Sequence, residues 1–464
     1  MTYSIEDRVF HYKSTYYKFP QSLKTFIGSL YGNIPLAIRF GNAFTTHRDI
    51  VEKFESSSTQ YQMDFIYNKT LETLIFAEEN IPYYKKIFQE HALSSKDFKA
   101  LDDLKKFPTL NKQLIKDNLN NIHTNLKEKP VAYFSGGSLS TPTKYFLPQR
   151  SRSKEKAYNN YIFSKIEYHY RDKTLLLKGR EISIPEKDIY WEYEPIDNYF
   201  LLSNNYMNSD KFPLMYEKTK AFNPKYIFGY PSAILSFIKQ CKLHGYAKLD
   251  IKGIMLSSET IYPNELQIIR EFFGVDVLAH YGHTERIVIG YHINDNSYNF
   301  LNSYGVPRIV DNQIIATSFD NFVMPFINYQ TGDHVTGNIE YYPESDIVTH
   351  AENIEGRTQD FLVSEDKRLI SITTMCGGQY LPLETINNIQ YIQEEEGKVT
   401  VLVEGNNIDT EKVRQGMCQL VREGISFDVK VVDSIEKSSR GKRIMCKQSL
   451  DIESIRNNAV KNNL

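Results

Sequence analysis

The stretch IKGIMLSSETIYPNELQIIREFFGVDVLAHYGHTE, residues 251–285, decides the fold. Its apolar run at 251–256 predicts a strand, Pro263 begins a predicted helix that Gly274 ends, and 275–279 predicts a second strand. A predicted helix at 232–244 precedes this stretch, within a βα alternation that starts near Pro224. Such alternation is typical of a parallel sheet flanked by helices, so we expect an α/β protein.

Polar residues follow both predicted strands. Ser258 and Glu259 come directly after the first strand, and residues 281–285, Tyr-Gly-His-Thr-Glu, come after the second. In α/β sheets ligands bind just beyond the carboxyl ends of the strands. The sequence therefore predicts that both polar groups lie on one binding rim.

The rest of the chain divides into regions of different character. Helical spacing of apolar residues predicts helices at 60–79 and 83–91, and residues 133–149 predict a strand, a Ser/Gly/Thr loop and a second strand. Short strands after Gly305, with a turn at Asp311-Asn312, predict a smaller β subdomain. Strands at 399–403 and 427–432 around a helix at 409–422 predict a compact α+β unit. We predict an N-terminal domain at 1–359 and a small mobile C-terminal domain at 360–464.

Composition excludes several classes of protein. A chain of 464 residues exceeds the size that one hydrophobic core supports, so two or more domains are expected. Lys+Arg 55 against Asp+Glu 57 gives no global attraction for nucleic acid or an anionic membrane. The cysteines, Cys241, Cys376, Cys418 and Cys446, are scattered without a CxxC pair, which argues against zinc ribbons and disulfide frameworks. No apolar stretch is long enough to span a membrane, and we expect a cytoplasmic protein.

The loop between the strands of the 133–149 hairpin suits phosphate oxygens. It offers successive backbone N–H groups, hydroxyl donors and an ammonium group. The residues concerned are Ser135, Gly136, Gly137, Ser138 and Lys144. A flexible turn would have the same composition, and that alternative stays open from this loop alone.

Two further groups suit a nucleotide. Glu285 could hold Mg²⁺, which usually bridges a carboxylate and substrate phosphates, while Thr284 donates a hydroxyl to the α-phosphate. Asp333, in Thr-Gly-Asp, and Arg357, in Gly-Arg, suit ribose hydroxyls. Each also has an ordinary interpretation, since Glu285 could be a solvated loop carboxylate and Asp333 a turn residue. His280 and His283 fit structural hydrogen bonding better than catalysis.

Taken together these motifs resemble the adenylate-forming superfamily, and within it the phenylacetate–CoA ligase branch with its CapK-like members of capsular polysaccharide biosynthesis. The resemblance covers nearly the whole chain, and the ordered set of motifs is far more specific than any single one. The matching segments are 80–84 (Asn-Ile-Pro-Tyr-Tyr), 104–112, 228–232 (Phe-Gly-Tyr-Pro-Ser), 281–286 (Tyr-Gly-His-Thr-Glu-Arg), 323–326 (Val-Met-Pro-Phe) and 356–360 (Gly-Arg-Thr-Gln-Asp).

The resemblance implies a large adenylation domain and a mobile C-terminal lid. By the family's pattern, ATP and its Mg²⁺ contact the region after Tyr-Gly, the ribose is held by the Asp of Thr-Gly-Asp and the Arg of Gly-Arg, and a lid lysine assists adenylation. Those roles fall on Lys442, Thr284 and Glu285 as catalytic groups and on Ser258, Glu259, Tyr281, Gly282, His283, Asp333 and Arg357 as nucleotide-binding groups. Lid rotation is expected near Asp360. By itself the run around Lys442 would be a solvated basic surface loop.

The leading hypothesis is an ATP-dependent ligase that forms an acyl-adenylate and transfers the acyl group to an amine, in the modification of a surface polysaccharide or its sugar precursor. The alternatives are an acyl-CoA ligase, with coenzyme A as acceptor, and a nucleotide-binding relic. The relic hypothesis draws on residues 139–142, Leu-Ser-Thr-Pro, which lack a hydroxyl and a glycine of the family's Thr-Gly-x-Pro. Expected partners are a small carboxylic acid and an amine, sugar or CoA acceptor, without nucleic acid; a homodimer is left open.

Overall fold

The computed structural model describes residues 4–9, 12–134, 143–178, 182, 184–204, 206, 207, 209–261, 263–357, 361–367, 369–375, 381, 382, 385–421, 424–436, 444–452 and 455. Its α-helices are α1 Ile5–Val9, α2 Lys13–Tyr17, α3 Gln21–Gly32, α4 Leu36–Glu55, α5 Thr59–Asn80, α6 Pro82–Glu90, α7 Lys112–Asp117, α8 Ser151–Ser164, α9 Phe212–Phe222, α10 Pro231–Leu243, α11 Pro263–Phe273, α12 Ile372–Met375 and α13 Thr410–Val421. Short 3₁₀ helices cover Ser95–Asp97, Leu101–Lys106 and Pro185–Lys187.

The strands are β1 Pro130–Phe134, β2 Lys144–Pro148, β3 Thr174–Leu177, β4 Trp191–Glu194, β5 Tyr199–Leu202, β6 Tyr226–Gly229, β7 Gly253–Ser257, β8 Asp276–Gly282, β9 Ile289–Ile293, β10 Ser297–Phe300, β11 Gly305–Val310, β12 Gln313–Ser318, β13 Tyr329–Val335, β14 Ile339–Tyr341, β15 Val348–Glu352, β16 Ile354–Arg357, β17 Phe361–Val363, β18 Leu369–Ser371, β19 Ile386–Glu395, β20 Lys398–Gly405, β21 Ser426–Val431 and β22 Cys446–Gln448. The mixture of helices and sheets confirms the predicted α/β class.

The chain forms two compact units. The first comprises Met1–Thr174, Tyr193–Phe200 and Leu278–Ile354, and the second comprises Leu175–Glu192, Leu201–Val277 and Glu355–Leu464. The predicted division at 359/360 stays a prediction, and residues 358–360 lie outside the described part of the chain. No described helix is long and apolar enough to cross a membrane.

In the first unit the helical N-terminus packs with antiparallel strands. Strands β14, β15, β10, β9 and β8 follow one another in that order, and β11, β12 and β13 pair in a separate antiparallel sheet. The turn between β11 and β12 has positive φ at Asp311 (50°) and Asn312 (61°), as a two-residue hairpin turn requires. The buried core includes Phe54, Leu74 and Phe326. The predicted small β subdomain and its turn are confirmed.

In the second unit a parallel pair carries the predicted βα alternation. β6 and β7 pair in parallel, β3 lies beside β6, and α10 and α11 follow β6 and β7 along the chain. Pro231 and Pro263 stand at the first positions of these helices, where proline's missing N–H costs nothing. The predicted strands and helices of 232–279 are thus confirmed, with β8 running on to Gly282.

The remaining part of the second unit is the predicted α+β unit. Its sheet runs β21-β20-β19-β22, with β19 and β20 antiparallel and both outer pairs parallel. Buried apolar residues of β19, β20 and α13, among them Tyr391, Val401 and Met417, form its core. Cys241 and Cys446 are buried thiols and Cys418 is a half-buried one, while Cys376 lies outside the described residues.

Candidate active site

Glu285 lies in the connection between β8 and β9, where the antiparallel register ends at Gly282 and Ile289. The chain reverses with the help of Arg286, whose φ is 54° and whose N–H donates to the His283 carbonyl at 3.0 Å. This turn directs the Glu285 side chain inward, leaving the residue only 3% exposed. Burial of a carboxylate is costly unless donors satisfy it.

Two hydroxyls satisfy the Glu285 carboxylate. The Tyr329 hydroxyl donates to Oε1 at 3.3 Å, and the Thr284 hydroxyl donates to Oε2 at 3.1 Å. Burial raises the pKa of the neighbouring Tyr145, and the negative charge of Glu285 raises it further. The Glu285 carboxyl group is therefore held inside the first unit by at least two hydroxyl donors.

The Thr-Gly-Asp motif lies within strand β13. The Tyr281 hydroxyl donates to Asp333 Oδ2 at 2.8 Å, joining two motifs that are 52 residues apart. The Thr331 hydroxyl accepts from the Asp333 N–H at 3.1 Å and donates to the Ile314 carbonyl at 2.9 Å. Asp333 is therefore held by its neighbours at an irregularity in β13, where Gly332 has a φ of 83°.

A second set of contacts fixes the same connection from the other side. Arg286 Nη1 donates to the Ser151 hydroxyl at 2.7 Å at the start of α8, and its guanidinium lies 5.1 Å from the Tyr133 ring centroid. Its Nε lies 3.9 Å from a carboxylate oxygen of Glu155. The sequence motif thus places one acidic and one basic residue side by side with separate partners.

The structure brings together Tyr281, Thr284, Glu285 and Asp333, with His283 edge-on to the Tyr281 ring at 5.9 Å. Sequence reasoning missed Tyr145 and Tyr329. A signal for Tyr329 was present, because it stands two residues before Thr331 on the same strand, and alternate residues of a strand share a face.

Lys144 begins β2 and is exposed. The register of β1 and β2 pairs Phe134 with Lys144, so the ends of the predicted phosphate loop meet. The loop residues Ser135, Gly136, Gly137 and Ser138 lie outside the described residues. The strand–loop–strand prediction is confirmed for its two strands, and the phosphate role stays a prediction.

In the second unit a separate polar group follows β7. Ser258 has a φ of 73°, an unusual conformation for a residue with a side chain. Glu259 accepts from the Ser232 N–H at 3.2 Å and from the Ser232 hydroxyl at 3.1 Å, at the first turn of α10. Lys178 donates to the buried Ser257 hydroxyl at 3.0 Å. Glu259 therefore caps a helix here, and its predicted nucleotide role is untested.

The remaining predicted residues stand at the edge of what is described. Arg357 is the last residue of β16, and its side chain lies outside the described part of the chain. Lys442 lies wholly outside the described residues. Among the described residues no group of three or more His, Cys, Asp or Glu could cage a metal. A lone buried carboxylate such as Glu285 fits Mg²⁺ in its usual mode, where substrate phosphates and water complete the coordination.

Comparison with known proteins gives a relative in sequence and relatives in structure. The chain is 22% identical over 352 residues to Protein CapK of Staphylococcus aureus, covering 73% of this chain and 77% of that protein. No family model matches it. The solved structure of 2-hydroxyisobutyryl-CoA ligase in the postadenylation state with 2-HIB-AMP aligns with a TM-score of 0.64 at 11% identity, over 86% of this chain and 91% of that one.

A second structure of that ligase, in complex with 2-HIB-AMP and CoA in the thioesterification state, aligns with a TM-score of 0.54 at 11% identity over 88% of this chain and 94% of that one. At such identities the likeness establishes the fold alone. The chain has the fold of these ligase structures, and the predicted resemblance to CapK-like proteins is confirmed by its similarity to Protein CapK.

Proposed function

We propose that this chain is an ATP-dependent, AMP-forming ligase that activates a carboxylic acid and passes the acyl group to an amine. The observation that carries the proposal is the hydrogen bond between Tyr281 and Asp333, which unites two motifs of the predicted nucleotide site. The fold and the similarity to CapK support it. By the resemblance to CapK-like members of capsular polysaccharide biosynthesis, the amide would belong to a surface polysaccharide or its sugar precursor.

Asp333 and Tyr281 suit the nucleoside end of ATP. A carboxylate that accepts two ribose hydroxyls must keep one orientation, and the Tyr281 hydroxyl at 2.8 Å holds it there. By resemblance Arg357 would complete the ribose contacts. Ser258 and Glu259 keep their predicted nucleotide role on the same basis.

Glu285 suits the phosphate end. Tyr329 and Thr284 hold its carboxylate, and Glu285 would be the protein ligand of Mg²⁺. When bound, Mg²⁺ neutralises the charge that develops on the phosphate oxygens. Lys144 and, by resemblance, Lys442 would place ammonium groups against the same charge.

The reaction balances without an oxidant or reductant. A carboxylate oxygen of the acid attacks the α-phosphorus, the bond from that phosphorus to the bridging oxygen breaks, and pyrophosphate leaves. The amine nitrogen then attacks the acyl carbon, AMP leaves with the carboxylate oxygen, and the amine gives up one proton. We infer that the lid rotates near Asp360 between these steps, as domain closure commonly gates turnover.

Coenzyme A is the second candidate acceptor. The observation that favours it is the likeness to a ligase structure that contains CoA. Its thiol sulfur would attack the acyl carbon in place of the amine. The relic hypothesis is supported by Leu139 and Ser140, where the sequence differs from the family's phosphate loop. It gives no reason for a buried Glu285 that accepts two hydrogen bonds. Cytoplasmic location and a homodimer stay predictions.

The test is pyrophosphate release by the full chain with ATP, Mg²⁺ and a panel of aryl acids, amino acids, uronic acids and short fatty acids. Hydroxylamine traps the acyl-adenylate as a hydroxamate. Release that depends on one class of acid is the expected result. Adding amine or CoA acceptors to that acid then shows which of them accelerates AMP release. Nucleotide binding without release for any acid would overturn the proposal in favour of the relic.

Asp333→Asn supplies a matched check on the nucleoside contact. Loss of a charged acceptor should raise the ATP concentration for half-maximal release by about 10-fold, since hydrogen bonds to charged groups contribute roughly 1.5–3 kcal/mol. Asp295→Asn, whose carboxylate is largely exposed, is the control and should change nothing.

A further inference from the structure

Helix α3 turns its smallest residues toward the protein. A Cβ on Gly32 would lie 2.4 Å from the Ile196 carbonyl oxygen, and one on Gly28 would lie 2.5 Å from Pro195 Cγ. Lys24, one turn before Gly28, is also buried. Gly28 and Gly32 therefore pack closely against residues 195–196, which belong to the same unit.

The opposite stripe of α3 is apolar and exposed. Leu23, Phe26, Ile27 and Leu30 are 40%, 66%, 37% and 61% exposed. Their spacing of three and four residues is the one that ordinarily turns a helix face into a core. We call these four residues the α3 face. Contiguous exposed apolar surface marks an interaction site.

The stretch of sequence that contains the α3 face carries basic residues and no acidic ones. Residues 8–48 contain six Lys and Arg and no Asp or Glu, while the whole chain has 55 Lys and Arg against 57 Asp and Glu. Lys13 and Lys18, shortly before α3, are exposed. Tyr12 is exposed as well. Of the six basic residues, Arg39 pairs with Glu6 and Arg48 with Asp49, so the exposed lysines before α3 supply the basic charge next to this apolar helix.

We propose that the α3 face lies on an anionic lipid surface. A helix with Phe and Leu on one side and lysines nearby binds in the plane of the membrane interface, and its apolar side chains enter the boundary of the acyl chains. Each lysine near such a surface adds about fivefold to binding through attraction to anionic lipid. The contact needs no spanning helix.

A second copy of the chain suits the α3 face less well. A symmetric dimer through α3 would bring two basic segments together, and like charges across an interface disfavour association. An anionic surface turns the same charge into attraction. The inference stands apart from the proposed ligase function, because it rests on none of the residues of the candidate active site.

The test uses the full chain and flotation with lipid vesicles. Vesicles of equal parts phosphatidylglycerol and phosphatidylcholine are compared with vesicles of phosphatidylcholine alone. We expect the protein to float with the anionic vesicles and to be released as salt rises, because the Debye length shortens. F26S/L30S should lower the bound fraction at least about 10-fold, since two large apolar side chains no longer enter the interface.

Two variants separate the apolar and electrostatic parts. L126S/L243S removes two side chains of matched exposure, 67% and 66%, and should bind as the wild type does. K13Q/K18Q should weaken binding to anionic vesicles about 25-fold, from two lysines at about fivefold each, and leave binding to neutral vesicles unchanged.

Three results would overturn the inference. One is a wild type that does not float with anionic vesicles, and another is equal flotation of F26S/L30S. The third is a wild type that does not bind vesicles but forms a dimer in analytical ultracentrifugation, with F26S/L30S monomeric. That result would make the α3 face a contact with a second copy. Pyrophosphate release of F26S/L30S in vesicle-free buffer should match the wild type, so failure here leaves the ligase proposal standing.

Discussion

The Glu285 cluster and the α3 face depart from the usual arrangement of proteins in opposite directions. One places a carboxylate at 3% exposure, and the other leaves Phe26 at 66% exposure on a helix of otherwise ordinary pattern. Charged residues are seldom fully buried, and contiguous apolar residues are seldom left in water. Positions where a chain breaks a folding rule without an evident structural gain are where function is expected.

The two regions are built differently. The Glu285 cluster joins residues distant in sequence, as the bond from Tyr329 to Glu285 across 44 residues illustrates. The α3 face is local, because its four side chains fall within eight successive residues. A buried site that many contacts hold should be sensitive to single changes, whereas a surface should lose binding without losing its fold.

The largest effect is expected for Glu285→Gln. The amide keeps the shape, and its oxygen can still accept from one of the two hydroxyls while its NH₂ faces the other, but it removes the charge that would hold Mg²⁺. We expect pyrophosphate release to fall about 100- to 1,000-fold, the usual cost of one lost electrostatic contribution to a transition state. The measurement is single-turnover release with the preferred acid.

Glu79→Gln is the control for this change, because Glu79 is exposed and lies outside every motif. It should leave the rate unaltered. A rate for Glu285→Gln within a few-fold of the wild-type rate would make Glu285 a structural carboxylate. Burial of that carboxylate would then not indicate a catalytic role.

Much of the fold could be predicted because its signals are local. Pro263 and Gly274 bracket α11 at Pro263–Phe273, and Asp311-Asn312 makes the turn between β11 and β12. Local punctuation of this kind needs no knowledge of the rest of the chain. The antiparallel pairing of β8 with β9 could not be predicted, since strand partners depend on the whole sheet.

The candidate site was predictable as a set of motifs but not as a set of contacts. Tyr281 and Asp333 were both named from sequence, yet nothing local indicates that one hydroxyl bonds the other's carboxylate. Tyr145 carries no motif at all and is recognised only through its position near Glu285. The α3 face shows the converse, because its spacing predicts burial and only the glycine contacts of the opposite stripe reveal that it faces outward.

His292 tests whether burial of a polar group by itself indicates function. It lies in β9, is 1% exposed, and its ring nitrogens have no hydrogen-bond partner among the described residues. Burial lowers the pKa of His292 to about 4, although Asp295 lies 3.9 Å from Nδ1. In the unfolded chain His292 has an ordinary pKa near 6.5, so between about pH 6.5 and pH 4 it is protonated in the unfolded chain and neutral in the folded one.

The sign follows from that difference. The contribution of neutral His292 to the free energy of unfolding is fully present above about pH 6.5 and is lost as the pH falls toward about 4. By pH 5 the loss is roughly 2 kcal/mol. His292→Phe should shrink the fall in the urea midpoint between pH 7 and pH 5 and leave pyrophosphate release at pH 7 unchanged. His47, whose pKa burial also lowers to about 4, keeps part of the pH dependence in the variant. A variant with reduced release would give His292 a place in the site.

The smallest effect is expected for the stability of F26S/L30S. Both side chains already stand in water in the folded protein, so their removal should change the apparent free energy of unfolding by no more than about 0.5 kcal/mol, as for surface changes in general. Phe44→Ala is the contrast, because Phe44 is buried beside Phe40 and Ala157, and truncating a buried phenylalanine costs about 3–5 kcal/mol. Thermal unfolding of both variants beside the wild type makes the measurement.

A drop in stability for F26S/L30S as large as that for Phe44→Ala would mean that the α3 face is covered by the chain's own fold in solution. If F26S/L30S is as stable as the wild type but no longer binds vesicles, the α3 face is a binding surface that does not contribute to the stability of the fold.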